Sequence, residues 1–177
     1  YCLPVNCMQL TGKQYGTGDG SFKYDGQKNN RQKLIIGMVA EMIVYEKLQE
    51  DQNIENVKWV SRYAARVEPA YSGYNPHGTD GLGYDIEYTD RTGNKNFVEV
   101  KGKADNQNCF EITIPEIEKA KQEKKFYHII FVTNTLNEEL RRIKYLGNLF
   151  MFEEGEDLLN NKRFSAVTKS YEIRFKE

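Results

Sequence analysis

The sequence lacks any excess of basic charge: 25 Lys and Arg stand against 26 Asp and Glu, for a net charge of −1 over 177 residues. That excludes a protein that coats nucleic acid by bulk charge. It leaves room for a local basic rim offset by acidic metal ligands. Cysteine is scarce. The three present, Cys2, Cys7 and Cys109, are an odd number, so no disulfide framework is implied and a reducing cytoplasm is expected. The two histidines, His77 and His128, offer no second pair to complete a zinc site with Cys2 and Cys7. No run of about 18 apolar residues and no signal peptide is present, so no membrane partner is expected. Internal repeats and low-complexity tracts are absent. The chain begins at Tyr1 rather than Met, as expected of a domain taken from a longer protein.

What is present suits a globular domain. Hydrophobic residues make up 39% and charged residues 29%, with 12 Tyr and 9 Phe to build a core. Residues 1–30 read as an N-terminal arm or linker, and 31–177 as the domain. Gly16, Gly18 and Gly20 suggest a phosphate loop, but no GKS or GKT follows and no strand precedes them, so a flexible turn is the better reading. A helix is predicted over 31–50, with Leu34, Met38, Tyr45 and Leu48 on one stripe. Glu41 falls on that stripe. It either reaches solvent, pairs with a buried Arg, or serves a metal.

Further along, 57–67 reads as a strand and its continuation, and 68–83 as a polar loop carrying Tyr71, Tyr74 and His77. That loop leads into Asp85, so it is expected to rim the site. Strands are predicted at 84–89 and 96–101 around the turn 90–94, then a short strand-like piece at 110–114 and a helix over 115–125. An apolar strand follows at 126–133, a helix is expected at 137–146, and strands at 148–152 and 168–175. Helix, strand, hairpin, helix and strand in that order give a mixed α/β (α+β) fold with an antiparallel pair in its sheet.

The hairpin is the informative part. With the turn centred near Thr92, antiparallel partners have position numbers summing to about 184, which sets Asp85 opposite Glu99. Lys101 then shares their face. Ile86, Tyr88, Val98 and Val100 fall on the other face, so parity is set by the pattern. Carboxylates facing each other repel. One explanation is a solvated face with Lys101 as partial counter-charge and Glu87 at the rim. The other is a hard-cation site, where Mg²⁺ takes one or two carboxylates plus waters and phosphate oxygens. A nearby Lys would then position or deprotonate water, or stabilise developing charge.

Asp85, a variable turn, then Glu99-Val100-Lys101 resembles the core pattern of the restriction-endonuclease-like PD-(D/E)XK superfamily. A longer resemblance runs in order through Ile36-Gly37, Ala40-Glu41, Val57 to Val60, Gly83 to Ile86, Phe97 to Gly102, Phe110 to Thr113, Glu116, Ala120 and Tyr127. It is similar to the C-terminal nuclease-like domain of the plant NO VEIN protein family, over residues 33–134. The resemblance implies a restriction-endonuclease-like core, with Asp85, Glu99 and Glu41 as ligands of Mg²⁺ or Mn²⁺ and Lys101 as the catalytic lysine. It also implies a neighbouring helicase or other NTPase module. Gln122 matches the polar residue many members carry on the helix after the motif. Tyr84 stands where the superfamily has Pro. Thr113 and Glu116 fit a capping box, with Pro115 in the first turn, and read as a helix start rather than catalysis.

Lys103, Lys121 and Lys125 follow the motif and are candidates to track a phosphate backbone, although an exposed helix mixed with Glu would look the same. The expected function is an endonuclease acting on DNA, with RNA open, in phage defence or restriction. A non-catalytic nucleic-acid-binding or docking module of the same fold is the alternative. A third reading is a hydrolase of RNA or a small molecule using the same metal site. A homodimer would suit cutting both strands, though no heptads mark an interface.

Overall fold

The structure is a computed structural model, and it describes residues 26–67, 80–158, 160 and 162–166. Helix α1 spans Gly26–Glu50 and strand β1 Ile54–Trp59, followed by a short helix α2, Ala64–Val67. Strand β2 is Ile86–Asp90, β3 is Lys95–Gly102, α3 is Ile114–Glu123, β4 is Tyr127–Thr133 and β5 is Arg142–Gly147. Single 3-10 turns precede β2 (Asp80–Leu82) and β4 (Lys124–Phe126).

The strands form one sheet in the order β1-β2-β3-β4-β5. All neighbours are antiparallel except β3 and β4, which are parallel. A parallel pair needs a crossover, and α3 supplies it. Together with the flanking helices this is the mixed α/β architecture expected. Strand β4 is buried on both faces, which explains its unbroken apolar run.

The sheet packs on both sides. Ala40, Val44, Tyr45 and Leu48 of α1 cover the face carrying Ile86, Val98, Val100 and Ile130. Ala120 of α3, with Phe150 and Phe164 from the segment after β5, covers the face carrying Phe97, Tyr127 and Ile129. The second face of the hairpin is therefore enclosed and not a solvated charged surface. Among the described residues no helix is long and apolar enough to cross a membrane.

Several expectations change. Helix α1 starts at Gly26, inside the stretch read as an arm. Its buried stripe begins only at Ile36, so its first turns carry no periodic signal. Leu34 and Met38 are only half-buried, while Ile36, Ala40 and Val44 take the core positions beside Glu41, Tyr45 and Leu48. Strand β1 ends at Trp59, and 64–67 is helical. Residues 110–114 form no strand; Phe110 and Ile112 pack there as side chains on the second core. The region 137–146 holds β5 rather than a helix, because pairing with β4 overrides local helix propensity. Residues 148–152 are not a strand. Cys2, Cys7, the glycines at 16–20, the loop residues Tyr71, Tyr74 and His77, and the strand expected at 168–175 lie outside the described residues.

Candidate active site

The hairpin register is the expected one. Ile86 pairs with Val98 and Thr89 with Lys95, so partner numbers sum to 184 throughout. Its turn is tied by the Asp90 carboxylate, which accepts from the Thr92 and Asn94 backbone N–H groups at 2.9 and 3.0 Å. Asp85 lies one step past the last regular pair, where the ladder becomes irregular. Its N–H donates to the Val98 carbonyl at 2.9 Å, and its own carbonyl accepts from the N–H groups of Val60 and Ser61. Its carboxylate Oδ2, instead of its backbone, accepts the Val100 N–H at 2.8 Å. Irregular ladders of this kind re-aim a side chain beside a site. The segment before it is anchored by the Tyr127 hydroxyl, which donates to the Gly83 carbonyl at 2.9 Å.

Lys101 shares the Glu99 face, as parity requires. Its ammonium Nζ lies 2.7 Å from Glu99 Oε1 and 2.6 Å from Glu116 Oε2. Glu116 also accepts the Thr113 N–H at 3.0 Å. The capping role read for Glu116 is therefore present, but the same carboxylate reaches the site. Glu41 is 4% exposed. It accepts hydrogen bonds from Trp59 Nε1 at 2.8 Å and from the Ser61 hydroxyl. It is therefore neither at the solvent end of its stripe nor dependent on a buried Arg for these two bonds.

The electrostatics tie the four groups together. Burial pushes the Asp85 carboxyl well above the usual carboxylate range, and the Glu41 charge adds to this. The Val100 N–H and the Lys101 ammonium oppose it. Glu99 is raised by burial and by Asp85, against the pull of Lys101. For Lys101, burial favours the neutral amine, but Glu99 and Glu116 outweigh it and the ammonium is held above its ordinary range. Crowded carboxylates whose ionisation is opposed by burial and by one another suit a bound cation, which offsets both effects. The donors are all oxygens, which fits a hard divalent ion. Among the described residues no group of three or more His, Cys, Asp or Glu side chains is placed to hold a metal ion by itself. Mg²⁺ does not need one, since waters and substrate oxygens fill its shell.

The other candidates fall elsewhere. Lys121, Gln122 and Lys125 are exposed. Lys103 is partly buried just after β3, its N–H donating to Val132 at 2.8 Å. Glu87 is not a rim residue. It is 8% exposed and accepts from Lys95 at 2.8 Å and from the Tyr84 hydroxyl at 2.8 Å. Sequence reasoning missed the partners of the acidic groups: Trp59 and Ser61 at Glu41, Glu116 at Lys101, and Tyr127 beneath Gly83. Only Glu116 left a signal, its capping pattern.

A sequence model described as "Protein NO VEIN, C-terminal" matches residues 40–146, more than half of the chain. The match runs from one residue before Glu41 to Leu146 in β5, beyond the limit of 134 read from the sequence. No curated protein and no solved structure matches the chain. The chain belongs to the NO VEIN C-terminal domain family.

Proposed function

We propose that this chain is a metal-dependent endonuclease of the restriction-endonuclease-like PD-(D/E)XK type, hydrolysing phosphodiester bonds of DNA with Mg²⁺ or Mn²⁺. The observation that carries the reading is the meeting at one end of the sheet of Asp85, Glu99 and a Lys101 ammonium 2.7 Å from Glu99, with the Glu41 charge close enough to act on Asp85. Asp85 and Glu99, with Glu41 behind them, would hold the cation. When bound, it supplies Lewis-acid activation of the phosphodiester.

Lys101 acts as a fixed positive charge. Two carboxylates keep it protonated, so it stabilises negative charge growing on the phosphoryl oxygens rather than taking the proton of the attacking water. Water adds to phosphorus and gives up one proton to solvent, the P–O bond to the leaving nucleotide breaks, and the leaving oxygen takes one proton from solvent. A phage-defence or restriction setting, an NTPase or helicase module in cis or trans, and a second copy for double-strand cutting are part of the same proposal.

The test is cleavage of supercoiled, linear and single-stranded DNA, and of RNA, with Mg²⁺, Mn²⁺ or EDTA. Metal-dependent cutting should disappear in Lys101→Ala and in Asp85→Ala, with circular dichroism unchanged. Full activity in either variant would sink the reading, and cutting confined to RNA would reassign the substrate. A second reading is a non-catalytic nucleic-acid-binding module of the same fold. It is favoured by the engagement of Lys101 with two carboxylates, and it predicts binding indifferent to Mg²⁺ and to Asp85→Ala.

A further inference from the structure

We propose that Glu116 is a positioning residue for Lys101: it takes one side of the ammonium so that Glu99 is left free to serve a cation. This rests on the nuclease reading above. Lys101 Nζ stands between Glu99 and Glu116 at 2.7 and 2.6 Å. A cation at Glu99 repels the ammonium, which needs a second carboxylate to stay in place. Glu116 is built to be that carboxylate, because it is fixed from the other side. Its Oε2 accepts the Thr113 N–H at 3.0 Å, so the side chain is locked to the first turn of α3.

A capping box by itself needs no ammonium partner and works with Glu or Gln on a surface. Here the Lys101 and Glu116 side chains are each only 14% exposed. The next lysine on α3, Lys119, does not compete. It pairs with Glu123 at 2.7 Å and lies 4.3 Å over the Phe97 ring. The first turn of α3 is also pressed against the segment leading to Asp85. A Cβ placed on Gly83 would lie 2.8 Å from the Pro115 carbonyl. Helix α3 therefore brings Lys101's second partner to the site as a rigid unit.

Glu116→Gln separates the two roles, since Gln preserves the cap and removes the charge, whereas Glu116→Ala removes both. The measurements are melting temperature, Mn²⁺ affinity by calorimetry without nucleic acid, and single-turnover cleavage. Glu116→Gln should lower the melting temperature less than Glu116→Ala and lose about 10- to 100-fold in Mn²⁺ affinity and cleavage rate, with KM unchanged. In a Lys101→Ala background the same change should cost less than about twofold in Mn²⁺ affinity, because its effect runs through Lys101. Wild-type Mn²⁺ affinity and rate in Glu116→Gln would overturn the proposal, as would equal losses in both backgrounds. Coupling in Mn²⁺ affinity with no cleavage by the wild type would keep the positioning role and defeat the nuclease reading. A wild type that neither binds Mn²⁺ nor cuts would remove both.

Discussion

Glu41 is a buried carboxylate on the apolar side of a helix, and it persists there because two donors reach it. Trp59 Nε1 and the Ser61 hydroxyl both point at Oε2. Trp59→Phe keeps the ring packing and deletes one donor to a buried charge, which should cost about 1–3 kcal/mol. Urea denaturation reads this, and an unchanged midpoint would contradict it. At the same scale, much of the site was legible. Strict alternation in the hairpin set Asp85, Glu99 and Lys101 on one side, and a carboxylate inside a 4-3-4-3 apolar series marked Glu41. The contact of Glu116 with Lys101 was not legible. Its residues lie 15 apart, and only the path of α3 across the sheet brings them together.

Helix α3 and the two glycines beside the site show how elements control it. Gly83 has φ of +74°, a conformation that side chains avoid. A Cβ there would meet the Pro115 carbonyl at 2.8 Å and Lys119 Cβ at 3.0 Å. Gly83→Ala should therefore destabilise by about 1–3 kcal/mol and push the start of α3 away from Asp85. Gly102 is a contact point of another kind. Its absent side chain lets α1 approach β3, with Ala40 Cβ 2.9 Å and the Ile36 carbonyl 3.0 Å from where a Cβ would stand. Gly102→Ala should cost about 1–3 kcal/mol by overpacking. Thermal melts of both variants check these values, and wild-type stability in either would show that the neighbours move aside cheaply. Elements whose apolar residues recur periodically, such as the C-terminal half of α1 and the hairpin, could be read in advance. Strand β5 could not, because Arg142–Gly147 gain more from pairing with β4 than from local propensity.

For the whole molecule, the raised carboxyls predict an unusual pH response. Asp85 and Glu99 titrate above the usual carboxylate range when folded. The folded state therefore holds more protons than the unfolded chain between the ordinary and the raised values. Stability must fall as pH rises through that window. Lys101 is stabilising while protonated, and its raised folded value means that this contribution too is lost as pH rises, but only in the alkaline range. In EDTA, melting temperature should fall from pH 5 to pH 8. Asp85→Asn should flatten that fall and melt higher at pH 8. Mn²⁺ at 100 times its dissociation constant should restore about 2.7 kcal/mol to the wild type and little to Asp85→Asn. An identical pH slope in the variant would refute the assignment. The sequence by itself determined the mixed architecture, the hairpin register and the identity of the acidic and basic groups, because alternation and turn chemistry act over a few residues. Only the tertiary structure decided that the charged face is enclosed, that Glu116 reaches Lys101 and that Trp59 holds Glu41. Each of these depends on distant segments meeting across the sheet, and no local period records that.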